Sequence, residues 1–240
     1  MPAAYKRVIV KVSGQALAGS DGTAVSAEAA SRLASEIRAA ALEGAQVGCV
    51  VGGGNIVRGV VAERGGADRV TADLMGMTAT IVNGLALRSA LEEMGQPATV
   101  MSAIPLGQAV PQFERRAADR CLDEGNVVVF VAGTGNPFFS TDTAATLRAC
   151  ELKADALIKA TNTDGVYDSD PASNPDAVRY DSLTYMDVIE RKLAVMDMTA
   201  VSLAREANLP IIVLALAEER GIARAVAGES IGTSVKGVQP

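Results

Sequence analysis

Three short apolar runs end in loops of small residues, each close to a charged side chain. "KVSG" (Lys11 to Gly14) closes the first. "VGGGN" (Val51 to Asn55) closes the second, with Arg58 three residues on. "AGTGN" (Ala132 to Asn136) closes the third, and "PFFSTD" follows it to Asp142. Glycine lets backbone N–H groups approach phosphate oxygens without a Cβ in the way, and a helix N-terminus adds a favourable dipole. Lys11 lies inside an apolar run, an expensive place for an ammonium group unless an anion meets it. Three such loops point to a site that handles several phosphates. The chain has no histidine, which excludes a Ser-His-Asp triad, a Cys-His pair and His-ligated zinc. Phosphoryl transfer needs positioning and charge neutralisation more than covalent groups, and it suits this set. If the acceptor is itself a phosphate, its second pKa of about 6 leaves it ionised at neutral pH, and no general base is required. Lys11 and Arg58 are then the candidate neutralising cations. Asp142 either orients the charged groups, a magnesium ion included, or stabilises the start of a helix. Lys159 ends another apolar run and is as well explained by a snorkelling strand end.

Two common phosphate motifs are absent. No Gly-Lys pair occurs, so there is no P-loop, and "GTGNPF" carries Phe138 where the dinucleotide fingerprint needs its third glycine. The pair Phe138 and Phe139 stands out in a chain with 4 Phe and no Trp. The expectation is that both rings pack the loop down and exclude water beside the reaction, where charge interactions strengthen.

The elements that must position these residues follow from the apolar pattern. Continuous runs at Val8–Val12, Val47–Val51, Ala98–Met101, Val127–Ala132, Ala156–Ala160 and Ile211–Leu216 suit strands buried on both faces of a parallel sheet. Helical patterns lie between them at Ala27–Glu43, Thr71–Met94, Thr141–Leu152, Tyr185–Lys192, Asp197–Glu206 and Glu219–Ala227. Ser26 is placed as an N-cap and Gly44 lies beyond a C-terminus. The alternation predicts an α/β fold, a three-layer α/β/α sandwich with a mainly parallel central sheet. The polar segment "DSDPASNPDA" (Asp168 to Ala177) is the best sub-boundary, though short for a linker.

The bulk numbers bound the rest. With 240 residues and 49% hydrophobic content, the chain has ample core for one large domain or two small ones. Net charge −6 argues against nucleic acid or anionic membrane as partner, and 3% aromatics against stacking on single strands. Cys49, Cys121 and Cys150 are odd in number and lack a Cys-x-x-Cys spacing, so they read as reduced thiols. The N-terminus lacks the pattern of a signal peptide. The longest uncharged run, Met94 to Phe113, carries three prolines and is no membrane span. A soluble cytoplasmic protein is expected.

At these residues the sequence resembles the amino acid kinase superfamily and, within it, the bacterial uridylate kinases. "TDGVYDSDP" (Thr163 to Pro171) is similar to a nucleotide segment shared across the superfamily. "KVSGQAL", "VVGGGNIVRG", "DLMGMTAT", "MSAIPL" and "AGTGNPFFSTDTAA" are similar to segments of the narrower group, in order, between Tyr5 and Thr233. The resemblance implies a single kinase domain over residues 1–240, with an acceptor part over roughly 1–150 and an ATP part over roughly 151–240. It implies a homohexamer that converts UMP and ATP-Mg to UDP and ADP, with Mg2+ bound through ATP and no direct side-chain ligand. Carried over by residue, Lys11, Ser13 and Gly14 would meet the ATP phosphates. Gly53, Gly54 and Arg58 would sit where the phosphates of the two nucleotides converge. Asp73 would hold the UMP sugar, and Thr134, Gly135, Asn136, Pro137, Phe138, Phe139, Ser140 and Thr141 would wrap UMP. Thr161, Tyr167 and Asp170 would contact ATP, and Asp142 would organise the charges beside Lys11 and Arg58.

The chain also departs from the family pattern. Gln15 stands where the first loop usually has an acid, and Ala72 and Leu74 replace Gly and His beside the implied UMP site. "LAGSDGTAVS" lacks the pattern tied to GTP response, and "VLALAEERG" replaces a Phe/Asn/Met stretch. Two other readings compete. One is a kinase that phosphorylates a carboxylate, against which stand the "GTGNPFF" loop and the lack of room for an amino-acid-binding regulatory domain. The other is a catalytically altered kinase-fold protein used for nucleotide storage or regulation. Retention of Lys11, Arg58, Asp73 and Asp142 argues against it.

Overall fold

The computed structural model describes residues 3–57 and 65–237; Arg58 lies outside the described residues. Among the described residues ten strands are formed: β1 (Arg7–Val12), β2 (Gln46–Val51), β3 (Ala98–Ser102), β4 (Val127–Val131), β5 (Ala156–Thr161), β6 (Val166–Tyr167), β7 (Arg179–Tyr180), β8 (Ser182–Thr184), β9 (Ile211–Ala215) and β10 (Thr233–Lys236). The α-helices among the described residues are α1 (Ala27–Leu42), α2 (Arg69–Glu93), α3 (Arg115–Asp123), α4 (Thr141–Glu151), α5 (Tyr185–Glu190), α6 (Met198–Glu206) and α7 (Gly221–Val226). All six apolar runs became strands of one eight-stranded sheet, ordered β3-β4-β2-β1-β5-β9-β10-β8. Its pairs are parallel except β9 with β10.

Period-two alternation sends each strand's side chains to two cores. In β1, Val8, Val10 and Val12 face Leu33 and Ile37 of α1, Leu87 of α2 and Ile222 of α7. Ile9 faces the opposite layer, with Leu122 of α3, Ala145 and Ala149 of α4, Val188 of α5 and Val201 of α6. The three-layer α/β/α architecture is thereby built. Helix boundaries obey local chemistry. Ser26 accepts from Ala29 N–H at the start of α1, and Gly44 beyond its end takes φ +92°. α2 is long and apolar enough to cross a membrane by length and composition, but it packs on β3, β4 and α1.

The sheet order divides the chain. Strands from residues 7–131 lie on one side of the β1–β5 junction and strands from residues 156–236 on the other. That junction is a switch point, where ligands of open α/β sheets bind at the carboxyl ends of the strands.

Some elements lacked a signal. α3, "RRAADRCLD", buries only Ala118 and Leu122, too few apolar residues to mark a helix. The segment Asp168 to Ala177 is the connection of a hairpin whose strands, β6 and β7, are two residues each. Cys49 is buried in β2, where burial pushes its thiol up to about 12. Cys121 and Cys150 are half-buried, and all three are free thiols.

Candidate active site

Lys11 and Lys159 are register partners on neighbouring strands β1 and β5. Both share the strand parity of Ile9 and Leu157, so both point to the layer that holds α4. From that layer Asp142, in the first turn of α4, reaches between them. Its Oδ1 lies 2.8 Å from Lys11 Nζ and its Oδ2 2.9 Å from Lys159 Nζ. The Lys159 contact is a hydrogen bond; the Lys11 contact is an ion pair whose angle falls outside one. Lys159 also donates to the Val195 carbonyl. Burial opposes ionisation of Asp142, but the two ammonium groups outweigh it and hold its carboxyl below the ordinary carboxylate value. Capping of α4 falls to Ser140, whose Oγ accepts from the N–H groups of Asp142 and Thr143. Asp142 is thus free to serve the lysines. Ser140 and Thr143 in turn donate to Asp197, the N-cap of α6.

The glycine loops close around this centre. A Cβ on Gly14 would lie 2.3 Å from Asn55 Oδ1 and 2.7 Å from the Gly52 carbonyl, so only glycine lets the first two loops touch. Asn55 and Asn83 of α2 bond to each other through their amides, and Asn83 donates to the Gly52 carbonyl. Ser13 caps the one-turn segment Gly14–Leu17 by accepting from Gln15 N–H, and Gln15 donates to the Gly54 carbonyl.

Two cavities flank the centre in sequence. The first, of about 140 Å³, is lined by Gly53, Gly54, Asp73, Phe139 and Thr141 among the expected residues, and by Thr80 and Met77. Thr134, Gly135, Asn136, Pro137, Phe138 and Ser140 do not line it. Asn136 N–H and Thr134 Oγ1 bond within their own turn, and Gly135 adopts φ +84°. The second cavity, of about 390 Å³, is lined by Tyr167, Asp170 and residues 191–194. Tyr167 donates to Asp164, and Asp170 Oδ1 accepts from Ala172 N–H. Thr161 ends β5 without lining either.

The two phenylalanines differ from expectation. Phe138 is 65% exposed and Phe139 51%, so neither ring packs the loop into the core. Polar contacts hold the loop instead. Asp73 Oδ2 accepts from Phe138 N–H at 2.7 Å and from Arg69 Nε at 2.9 Å. The Arg69 guanidinium lies 5.3 Å from the Phe138 ring centre. Phe138 takes φ +73°, a left-handed conformation that a bulky residue adopts only when its surroundings impose it.

Sequence reasoning missed Asn83 and Thr80. Thr80 Oγ1 accepts from Ala132 N–H at 2.7 Å, fastening the end of β4 to α2. Both are buried polar residues in the uncharged middle of α2, residues 74–87, and that contrast was the available signal. Among the described residues, no cluster of three or more acidic or thiol side chains could hold a metal ion.

A parallel sheet with glycine loops and paired lysines at its switch point defines a phosphoryl-transfer scaffold without a P-loop. Residues 6–215 match the amino acid kinase family. The uridylate kinase of Brucella anthropi is 51% identical over 97% of both chains, and that of Methylococcus capsulatus 49% over 95% of this chain and 96% of its own. The UMP kinase structure from Bacillus anthracis superposes with TM-score 0.94 at 39% identity, covering 98% of this chain and 97% of that one. The chain belongs to the amino acid kinase family and, within it, to the uridylate kinases.

Proposed function

We propose that this protein transfers the γ-phosphoryl group of ATP to UMP, giving UDP and ADP, a step of pyrimidine nucleotide synthesis. The observation that carries this reading is the Lys11–Asp142–Lys159 cluster at the sheet's switch point, with a glycine-walled cavity on the acceptor side. Gly53, Asp73 and the loop from Thr134 to Thr141 take UMP. Ser13, Gly14, Gly54, Thr161, Tyr167 and Asp170 take ATP. Lys11 and Arg58 neutralise charge on the phosphoryl group in flight, a role worth about 10³-fold in rate, or about 4 kcal/mol. The UMP phosphate is already ionised at neutral pH, so a chain without histidine needs no base.

Magnesium fits as a passenger of ATP. Asp142 is committed to two lysines and Asp73 to Arg69 and Phe138. Bound with ATP, the ion supplies charge neutralisation on the phosphates. The two halves of the sheet correspond to an acceptor part (about 1–150) and an ATP part (about 151–240) of one domain. The working assembly is a homohexamer in the cytoplasm. Supporting it, Val70, Leu74, Met75 and Val82 form an exposed apolar stripe on α2 that a second copy would cover.

The test supplies ATP-Mg with UMP, CMP, dUMP, AMP, aspartate and glutamate in turn and measures ADP. Rapid turnover with UMP alone is expected. Tight ATP binding without turnover on any acceptor would instead favour a storage or regulatory role.

A further inference from the structure

Asp142 contacts two ammonium groups unequally. Lys159 makes an aligned hydrogen bond to Oδ2 and a second bond to the Val195 carbonyl, so two of its three N–H groups are fixed. Lys11 approaches Oδ1 at 2.8 Å without hydrogen-bond alignment. All three side chains are 12–15% exposed. These three side chains carry one net positive charge where water is scarce; the Asp197 carboxylate offsets it on the Lys159 side, which leaves the Lys11 ammonium for an arriving anion. With Lys159 absent, the carboxylate would have only Lys11 to bind, and that pair would neutralise itself.

We propose that Lys159 is a positioning residue for phosphoryl transfer: it holds Asp142 in place and shares its charge, so that the Lys11 ammonium stays available to a phosphate. This deepens the kinase reading and rests on it. The Val195 bond also ties Asp142 to the wall of the second cavity, since Ala194 lines that cavity and Val195 follows it. The charges facing Lys159 come from Lys11 on β1, Asp142 on α4 and Asp197 at the start of α6. Burial draws its pKa below the ordinary lysine value despite the pull of Asp142, with Lys11 adding to the depression.

The test compares wild type, Lys159→Met and Lys159→Arg in kcat, both KM values, pH profile and thermal unfolding. Lys159→Met is expected to lower kcat by about 30-fold while KM for UMP changes less than about threefold. Its activity should also fall at higher pH on the acid side, by about one unit, because a buried Asp142 with one cation ionises less readily. Lys159→Arg should recover at least about tenfold of the lost rate and restore the acid limb. A Met variant with near-normal kcat and an unmoved acid limb would overturn the proposal, as would an Arg variant no better than Met. If Lys159→Met does not fold, Lys159→Gln carries the same expectations. Failure of both uncharged variants to fold assigns the residue to the core and also overturns it. Wild type is assayed with UMP first. If it shows no turnover, the kinase reading falls, and Lys159 is judged from the pH dependence of ATP binding by calorimetry.

Discussion

Lys11 and Lys159 lie opposite each other across β1 and β5 although 148 positions separate them, and Asp142 contacts both within 3 Å. The register of two parallel strands therefore creates the charge cluster, and a helix from the overlying layer balances it. Removing either end of the Lys11–Asp142 pair should be severe. Lys11→Ala and Asp142→Asn are each expected to lower turnover at least about 100-fold (about 2.7 kcal/mol) with the fold retained. Steady-state kinetics with a circular dichroism control checks this. Near-normal turnover would remove that residue from the mechanism.

The depressed pKa of Asp142 fixes a pH dependence of stability. A carboxyl whose folded pKa lies below its unfolded value binds fewer protons when folded. Its contribution is complete above the unfolded pKa of about 3.9 and is lost as pH falls through the folded value. Urea unfolding from about pH 6 down to about pH 3 should show the stability gap between wild type and Asp142→Asn narrowing as pH falls. A gap that stays constant would mean that the two lysines do not favour the charged form.

Much of this arrangement was legible beforehand, and the exceptions have physical causes. Lys11 was conspicuous because an ammonium inside "VIVKV" needs an anion. Lys159 was not, because strand-end lysines commonly snorkel and nothing local reveals which strand pairs with which. The six core strands were readable as continuous apolar runs. β6, β7, β8 and β10 run only two to four residues and carry no periodicity to read. Phe138 and Phe139 misled because large rings beside a glycine loop suggest packing, whereas a backbone bond to Asp73 and a stacked Arg69 hold the loop.

Asp73 therefore carries a testable load. Its Oδ2 fastens the left-handed Phe138 and the first turn of α2 at once. Asp73→Asn keeps the shape but weakens both charge-assisted contacts. KM for UMP is expected to rise about tenfold, about 1.4 kcal/mol, with kcat changing less than about threefold. An unchanged KM would show that the loop needs no such anchor.

Glycine crowding makes a second structural claim measurable. A Cβ on Gly53 would lie 2.5 Å from the Gly76 carbonyl and 3.1 Å from Thr80 N, both backbone atoms that cannot swing aside. Gly53→Ala should cost about 1–3 kcal/mol and narrow the first cavity. Gly76→Ala is the control, because a Cβ there meets nothing within 4 Å and the site is mid-helix. It should stabilise by about 0.5–1 kcal/mol. Chemical denaturation of the two variants decides it: equal and small effects would mean that the loop and α2 can separate freely.

The exposed stripe on α2 bears on assembly. Val70, Leu74 and Val82 recur at multiples of four along the helix, with Met75 beside them, and each is more than 40% exposed. Four large apolar side chains on one face lose contact with water only when another surface covers them. If that surface is a second copy of this chain, light scattering on wild type should report six times the 24.6 kDa chain mass. The double variant Leu74→Glu with Val82→Glu should report a smaller assembly, because burying two carboxylates without partners outweighs the apolar gain. Neither position contributes to the sheet cores, so the variant should keep its thermal unfolding cooperative. A wild type at single-chain mass would remove the assembly reading and leave the stripe without a partner. A variant still at six chains would place the contact on another face.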